Sequence, residues 1–386
     1  MNADVAAAVS ELLPTLAERA ALVDETGEIP AETMTDLIGA GVFGLLRPKS
    51  QGGLEADPLD FYDAVRAVAT ACGSTGWVTS VLGLTPWHVA LFDERAQRDV
   101  WSENPDALIC SSYAPVGRFV PVAGGYEVSG HWRFASGCAH SSWALLGGTI
   151  VAENGQPVDM VSGLVPCADY RISKVWDAAG LRGAGSDDLY AERIFVPEHR
   201  VTRFYDIALL QSPGHRANPG PLYRMPYGTM YTYANSSPMV GMAQGCLDVF
   251  LSRMRDSNRL SFGGGSITSD QPTAAARASA EIDAAILQMS RSLRDLYECV
   301  CRRQNIPLEL RLRARRDQAL GAERALTSID LVFAATGGML LRRRNAIERA
   351  WRDAHIAGIH ASNDVGTALT LFGRGTFGLP VDDMMV

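Results

Sequence analysis

Lysine is nearly missing from this chain. Lys49 and Lys174 are the only two, so the rest of its 35 basic residues are arginines. That bias is typical of a GC-rich genome, and arginine is also the side chain suited to bidentate phosphate contact. A positive surplus is missing as well. The net charge of −8 argues against a nucleic-acid or an anionic-membrane partner. The N-terminus has no basic stretch leading into an apolar core, so no signal peptide is read. The seven cysteines are odd in number and irregularly spaced. Cys299 and Cys301 stand too close for a usual zinc pair, and no second pair answers them. Free thiols in a reducing compartment, the cytoplasm, are expected.

The familiar catalytic signatures are absent too: there is no P-loop, no H-E-x-x-H and no G-x-S-x-G. Gly373, Gly375 and Gly378 match G-x-G-x-x-G, but they lie too near the C-terminus to open a βαβ unit. A nicotinamide-binding Rossmann domain is therefore not expected. His355 and His360, five apart, fall on different faces of a helix, which argues against a metal pair. The run from Ala67 to Phe92 carries no formal charge and is long enough to cross a bilayer. Its glycines, hydroxyls, Pro86 and His88 make a buried helix followed by a turn the better reading. No internal repeat, low-complexity tract or long linker is present.

The 386 residues divide by pattern into three regions. Residues 1–106 read as helices: Leu12, Leu13, Leu16 and Ala20 recur at helical spacing, and Asp57-Pro58 opens a further helix. Residues 107–214 alternate short apolar runs with Gly124-Gly125, Asn154-Gly155 and Gly183-Ala184-Gly185, the pattern of a compact antiparallel sheet domain. From residue 215 to 386 helices return, with Ile282, Ile286, Met289, Leu293, Leu296 and Val300 drawing one apolar stripe and 308–336 another. The fold class is mainly α with a central β domain.

One segment is out of keeping with the rest. Gly130–Gly148, GHWRFASGCAHSSWALLGG, combines two tryptophans, two histidines, a cysteine and three serines with a single charge, Arg133. It reads as strand, tight turn, strand. Its polar groups would suit a flat heterocyclic ligand, although such segments also serve as plain structural turns.

These residues carry a resemblance. The helix–sheet–helix order, SGHWRFASGCAHSSW and the terminal RDAHIAGIHASND with GRGTFGLP resemble the acyl-CoA dehydrogenase fold. That fold has an N-terminal helical domain, a middle antiparallel β domain and a C-terminal four-helix bundle. More narrowly, they resemble the oxygenase components of two-component flavin monooxygenases. CGSTGWV near 72, PWHVALFD near 86, SSYAP near 111, GLRGAGS near 180 and LRARRDQ near 312 extend the likeness over almost the whole chain. The secosteroid hydroxylases are the most similar branch, and the 4-hydroxyphenylacetate hydroxylase oxygenase is more distant.

The resemblance implies roles for particular residues. Ser136, beside Gly137, falls where the family's flavin N5 contact lies, and His360 falls at its flavin-proximal histidine. His88 and Ser112 fall on the substrate side, where His88 would draw a phenol toward phenolate and Ser112 would hold the same oxygen, with Ser111 as its neighbouring rival. Arg259, with Ser261 beside it, falls at the flavin-phosphate position, for which Arg253 and Arg255 are substitutes. Trp143 would close the flavin wall. Each has a plainer reading as a turn residue, a core side chain or a solvated arginine.

The implied activity uses reduced flavin, FMNH2 or FADH2, with O2 through an oxygen adduct at flavin C4a, and hydroxylates a small aromatic substrate ortho to its phenol. A separate NAD(P)H-dependent flavin reductase and a homotetramer are implied as well. Hydroxylation or N-oxygenation in natural-product biosynthesis is an alternative. An acyl-CoA dehydrogenase is a further rival, but the glutamate its chemistry needs is not found at Asn363-Asp364.

Overall fold

In the computed structural model, residues 2–152, 154–260, 270–337 and 345–386 are described, the side chains of 257–260 excepted. The chain opens with five helices, α1 (Ala3–Thr26), α2 (Ala31–Gly39), α3 (Pro58–Ala71), α4 (Gly73–Val89) and α5 (Glu94–Trp101). Local chemistry sets their starts: Asn2 caps α1, and Asp57 caps α3 with Pro58 in the first turn, where a missing N–H costs nothing. The uncharged run is not one helix. Cys72 adopts an extended conformation between α3 and α4, which turns the chain back along itself. Almost every side chain of α4 is buried, as expected for a helix apolar on all sides. A Cβ at Gly76 would stand 2.4 Å from that of Ala69, so α3 and α4 pack at backbone distance there.

Seven strands follow: β1 (Ile109–Val122), β2 (Gly125–Ala135), β3 (Trp143–Val151), β4 (Pro157–Pro166), β5 (Arg171–Ser173), β6 (Asp187–Pro197) and β7 (Val201–Arg203). They form one sheet in the order β5-β6-β2-β1-β3-β4-β7. Gly124 and Gly155 take positive φ in the β1–β2 and β3–β4 turns, conformations that glycine adopts without steric cost. The sheet is mixed rather than purely antiparallel, because β1 and β3 pair in parallel. The segment 130–148 is therefore two strands that never touch. β2 and β3 flank β1, and residues 136–142 cross its end with a single 3-10 turn, Cys138–His140. Trp132 anchors this region from the core, fully buried, with its indole N–H donated to the Gly147 carbonyl.

After two short helices, α6 (Phe204–Ala208) and α7 (Pro213–Ala217), the chain enters α8 (Tyr227–Leu260), α9 (Asp270–Cys301), α10 (Leu308–Thr336) and α11 (Ala346–Gly358), and ends in α12 (Val365–Thr376). The four long helices α8–α11 pack on one another. Ile282, Met289, Leu293, Leu296 and Val300 form the buried stripe of α9, and Ile286 lies beside it, partly exposed. Arg352 of α11 ties three parts together: it binds Asp24 of α1 through both guanidinium ends at 2.8 and 3.0 Å, and donates to the Ala179 carbonyl at 2.8 Å. A planar fork on a carboxylate fixes angle as well as distance. No helix among the described residues is long and apolar enough to cross a membrane.

Candidate active site

A cavity of about 490 Å³ opens where α4, the sheet, α8 and the end of α11 meet. Its size falls in the range of small-molecule and cofactor sites, ~300–1,000 Å³. Its walls combine Trp77, Val81, Tyr113, Phe134, Trp176, Tyr231 and Ile356 with Ser111, Ser112, Ser136, Ser186, Asn235 and His360. Among the described residues, no carboxylate lines it and Arg133 is the one charged residue on its walls.

Ser136 reaches this cavity through a backbone irregularity. Phe134 has φ +63° and the β2–β6 register slips between Trp132 and Ala135. A left-handed conformation costs a non-glycine residue ~1–2 kcal/mol and is found disproportionately at functional sites. The slip leaves Phe134 67% exposed at the cavity, edge-on to Trp176, and turns the next residues inward. Ser136 Oγ then accepts from Trp77 Nε1 at 3.1 Å and lies 2.8 Å from Ser186 Oγ. Gly137, φ +70°, follows immediately and hydrogen-bonds its N–H to the Ala184 carbonyl. Gly137 lines the adjoining cleft beside Glu28 and Lys174, not the cavity itself.

His360 caps the 3-10 turn Ala361–Asn363. Its Nδ1 accepts the Ser362 N–H at 3.2 Å and lies 2.7 Å from Ser362 Oγ. Burial lowers its pKa to about 4, so the ring is neutral, and an accepting Nδ1 places the single proton on Nε2. The turn is itself pinned. Asn363 donates to the Ala357 carbonyl at 3.1 Å and accepts from Gln318 Nε2 at 2.9 Å. Asp364 faces away and caps α12 by accepting the Thr367 N–H. Opposite, Asp353 accepts the Leu181 N–H at 2.6 Å and thereby holds the loop carrying Leu181 and Ser186 against α11.

The expected residues divide by position. Ser136, His360 and Ser112 line one cavity. Ser112 Oγ donates to the Arg133 carbonyl at 2.8 Å, so its hydrogen is already used. His88 is buried outside that lining, with its Nδ1 3.0 Å from the hydroxyl of Tyr113. Trp143 is not in the lining of this cavity. It starts β3 away from the cavity, under the guanidinium of Arg200 at 5.0 Å. Residue 143 pairs with Pro166 and Ile109 at the strand's first position, and the crossing of β1 carries it to the far side. The Arg259 side chain and Ser261 lie outside the described residues; of the substitutes, Arg255 is exposed and Arg253 half-buried on α8.

Trp77, Tyr113, Trp176, Ser186 and Tyr231 line the same cavity and do not stand out in the sequence as site residues. Trp77, Tyr113 and Ser186 sit in the motifs CGSTGWV, SSYAP and GLRGAGS, a signal that could have found them. Trp176 and Tyr231 had no such signal.

The cavity fits the isoalloxazine of a reduced flavin. Indole and phenyl faces suit a flat tricyclic ring, Ser136 and the His360 Nε2–H offer hydrogen bonds at its edge, and no carboxylate repels an electron-rich ring.

Comparison with known proteins agrees with this geometry. Residues 4–104 match the acyl-CoA dehydrogenase N-terminal domain and residues 233–365 match the acyl-CoA dehydrogenase C-terminal domain. The chain is 46% identical to the oxygenase subunit HsaA, a flavin-dependent monooxygenase of Rhodococcus jostii (strain RHA1), over 97% of this chain and 98% of that one. It is 35% identical to the oxygenase component of the FADH2-dependent resorcinol hydroxylase of Rhizobium sp. (strain MTP-10005), over 92% and 90%. The crystal structure of 3-HSA hydroxylase from Rhodococcus sp. RHA1 superposes with a TM-score of 0.97 at 45% identity, covering 99% of each chain.

Proposed function

The chain belongs to the flavin-dependent monooxygenase oxygenase subunits built on the acyl-CoA dehydrogenase fold, and from that premise we propose that it hydroxylates a phenol ortho to its hydroxyl group. It is the oxygenase of a two-component system, and its reduced flavin, FMNH2 or FADH2, comes from a separate NAD(P)H-dependent reductase. Bound reduced flavin supplies the electrons and the site at which O2 is activated. The chain's own residues orient, exclude water and manage protons.

The observation that carries the reading is the convergence of Ser136 and His360 on one cavity that, among the described residues, no carboxylate lines. An acyl-CoA dehydrogenase needs a base over the substrate, and neither Asn363 nor Asp364 is one: the first is an amide fixed in the turn, the second caps α12 away from the cavity. Ser136, already accepting from Trp77, keeps its own hydrogen for Ser186 or the flavin edge. His360 holds a proton on Nε2, where it can donate to the ligand. Trp77, Phe134 and Trp176 limit water access, which suppresses wasteful peroxide release. Leu369, Phe377 and Leu379 are exposed on and just after α12, and exposed apolar side chains there support assembly into the expected homotetramer.

The test is to mix the purified chain with photoreduced flavin and O2 and assay a panel of phenols by mass. Stoichiometric peroxide with no hydroxylated product from any phenol would sink the proposal.

A further inference from the structure

We infer that Tyr113 is the residue that meets the oxygen of the bound phenol, and that His88 stands behind it as a positioning residue. The inference rests on the phenol-hydroxylating reading. Tyr113 lines the cavity, whereas His88 does not, and the two are joined by a bond of 3.0 Å between Tyr113 Oη and His88 Nδ1. The histidine ring is enclosed by Phe92, Tyr113, Phe204 and Tyr227 at centroid distances of 5.2–5.9 Å. Among the described residues, its side-chain hydrogen bond to the cavity lining is the one to Tyr113.

The second ring nitrogen gives this pair its chemistry. His88 Nε2 is buried and has no hydrogen-bond partner among the described residues. Burial also depresses the imidazole to about 3, so the ring is neutral and carries one proton. With Nε2 unpartnered, nothing on the protein side fixes which nitrogen holds that proton. The ligand then decides. A phenolate in the cavity requires a donor, so Tyr113 turns its O–H to the ligand while His88 donates Nδ1–H to Tyr113 Oη. A neutral phenol is met by the opposite arrangement, with Tyr113 donating back to Nδ1 and accepting from the ligand.

Ser111 lines the cavity as a second side-chain partner of Tyr113, and three other hydroxyls there are less well placed. The hydrogen of Ser112 is committed to the Arg133 carbonyl. Ser136 belongs to the Trp77–Ser186 group. Tyr231 lines the cavity with its ring toward His360, 6.1 Å between centroids, and its hydroxyl has no hydrogen bond among the described residues. A donor held by a second group is the one already oriented for an anion.

The probe is 4-nitrophenol, whose absorbance reports its ionisation, titrated with the purified chain. Binding to the unmodified chain should lower the apparent pKa of the nitrophenol. Tyr113→Phe, which removes one oxygen and keeps the ring, should return that pKa upward by about one unit and weaken binding of the anion about tenfold. His88→Asn should do the same, and the double variant should add nothing to either. A role in packing alone would leave the ligand's pKa unmoved. The inference fails if Tyr113→Phe leaves that pKa unchanged, or if Tyr231→Phe shifts it instead. A chain that hydroxylates phenols while Tyr113→Phe has no effect overturns only this assignment. A chain that binds reduced flavin but neither binds nitrophenol nor hydroxylates any phenol overturns the phenol reading and this inference with it.

Discussion

Trp77 donates its indole N–H to Ser136 Oγ across 3.1 Å, a bond between residues 59 positions apart. The same indole lies edge-on to His360, with ring centroids 6.0 Å apart. One tryptophan on α4 therefore sets the position of both groups proposed to face the flavin.

Removing either end of that bond should loosen the cofactor. Ser136→Ala should weaken reduced-flavin binding about tenfold, close to the ~1.4 kcal/mol of one good hydrogen bond. Trp77→Phe should act in the same direction because Ser136 then loses its donor. Anaerobic equilibrium dialysis measures both, and unchanged affinity in Ser136→Ala would remove this serine from the flavin contact.

His360→Ala should divert oxygen to peroxide, cutting hydroxylated product per flavin oxidised about tenfold or more, with peroxide and product quantified side by side. In the unmodified chain burial holds His360 at about 4, below the ~6.5 of an unperturbed histidine. Coupling should therefore show no break from this residue above about pH 5. The folded state resists protonation here, so the stability due to the neutral ring is full above about pH 6.5 and is lost as pH falls toward 4.

Trp143→Phe provides a contrast. Its indole packs with Arg200 and outside the cavity lining, so reduced-flavin affinity should stay within about twofold of the unmodified chain. A loss comparable to that of Ser136→Ala would return Trp143 to the flavin wall.

Asp353 has the opposite pH signature. Burial raises its pKa to about 6, above the ~3.9 of an unfolded aspartate. The folded state binds the proton more tightly, so stability declines as pH rises from about 4 to about 6 and stays lowered above that. Asp353→Asn keeps an acceptor for the Leu181 N–H and removes the buried charge. Urea titrations across that range should lose a slope on the order of 2–3 kcal/mol. An unaltered slope would show that Asp353 is not its source.

Much of the fold was legible because its signals are local. Asp57-Pro58, the stripe from Ile282 to Val300 and the turn at Asn154-Gly155 each depend on neighbours in the chain. The parallel pairing of β1 with β3 was not legible, because alternation in 130–148 is the same whichever strand lies between. Ser136, His360 and Ser112 line one cavity, but resemblance at PWH did not reveal that His88 lies outside that lining and is bonded to Tyr113 within it. Nor could it show that Trp143 lies outside the cavity lining. Both facts concern the direction of a side chain relative to an element distant in sequence.

By itself, then, the sequence determined the helix and strand content, the family and the chemical types available to the site, since composition and periodicity act over short stretches of chain. Only the tertiary structure decided which of those groups meet and in what state. The left-handed Phe134 turns Ser136 inward, and burial strips the charge from His88 and His360. Desolvation and register arise from segments packed together from across the chain, and no single segment carries them.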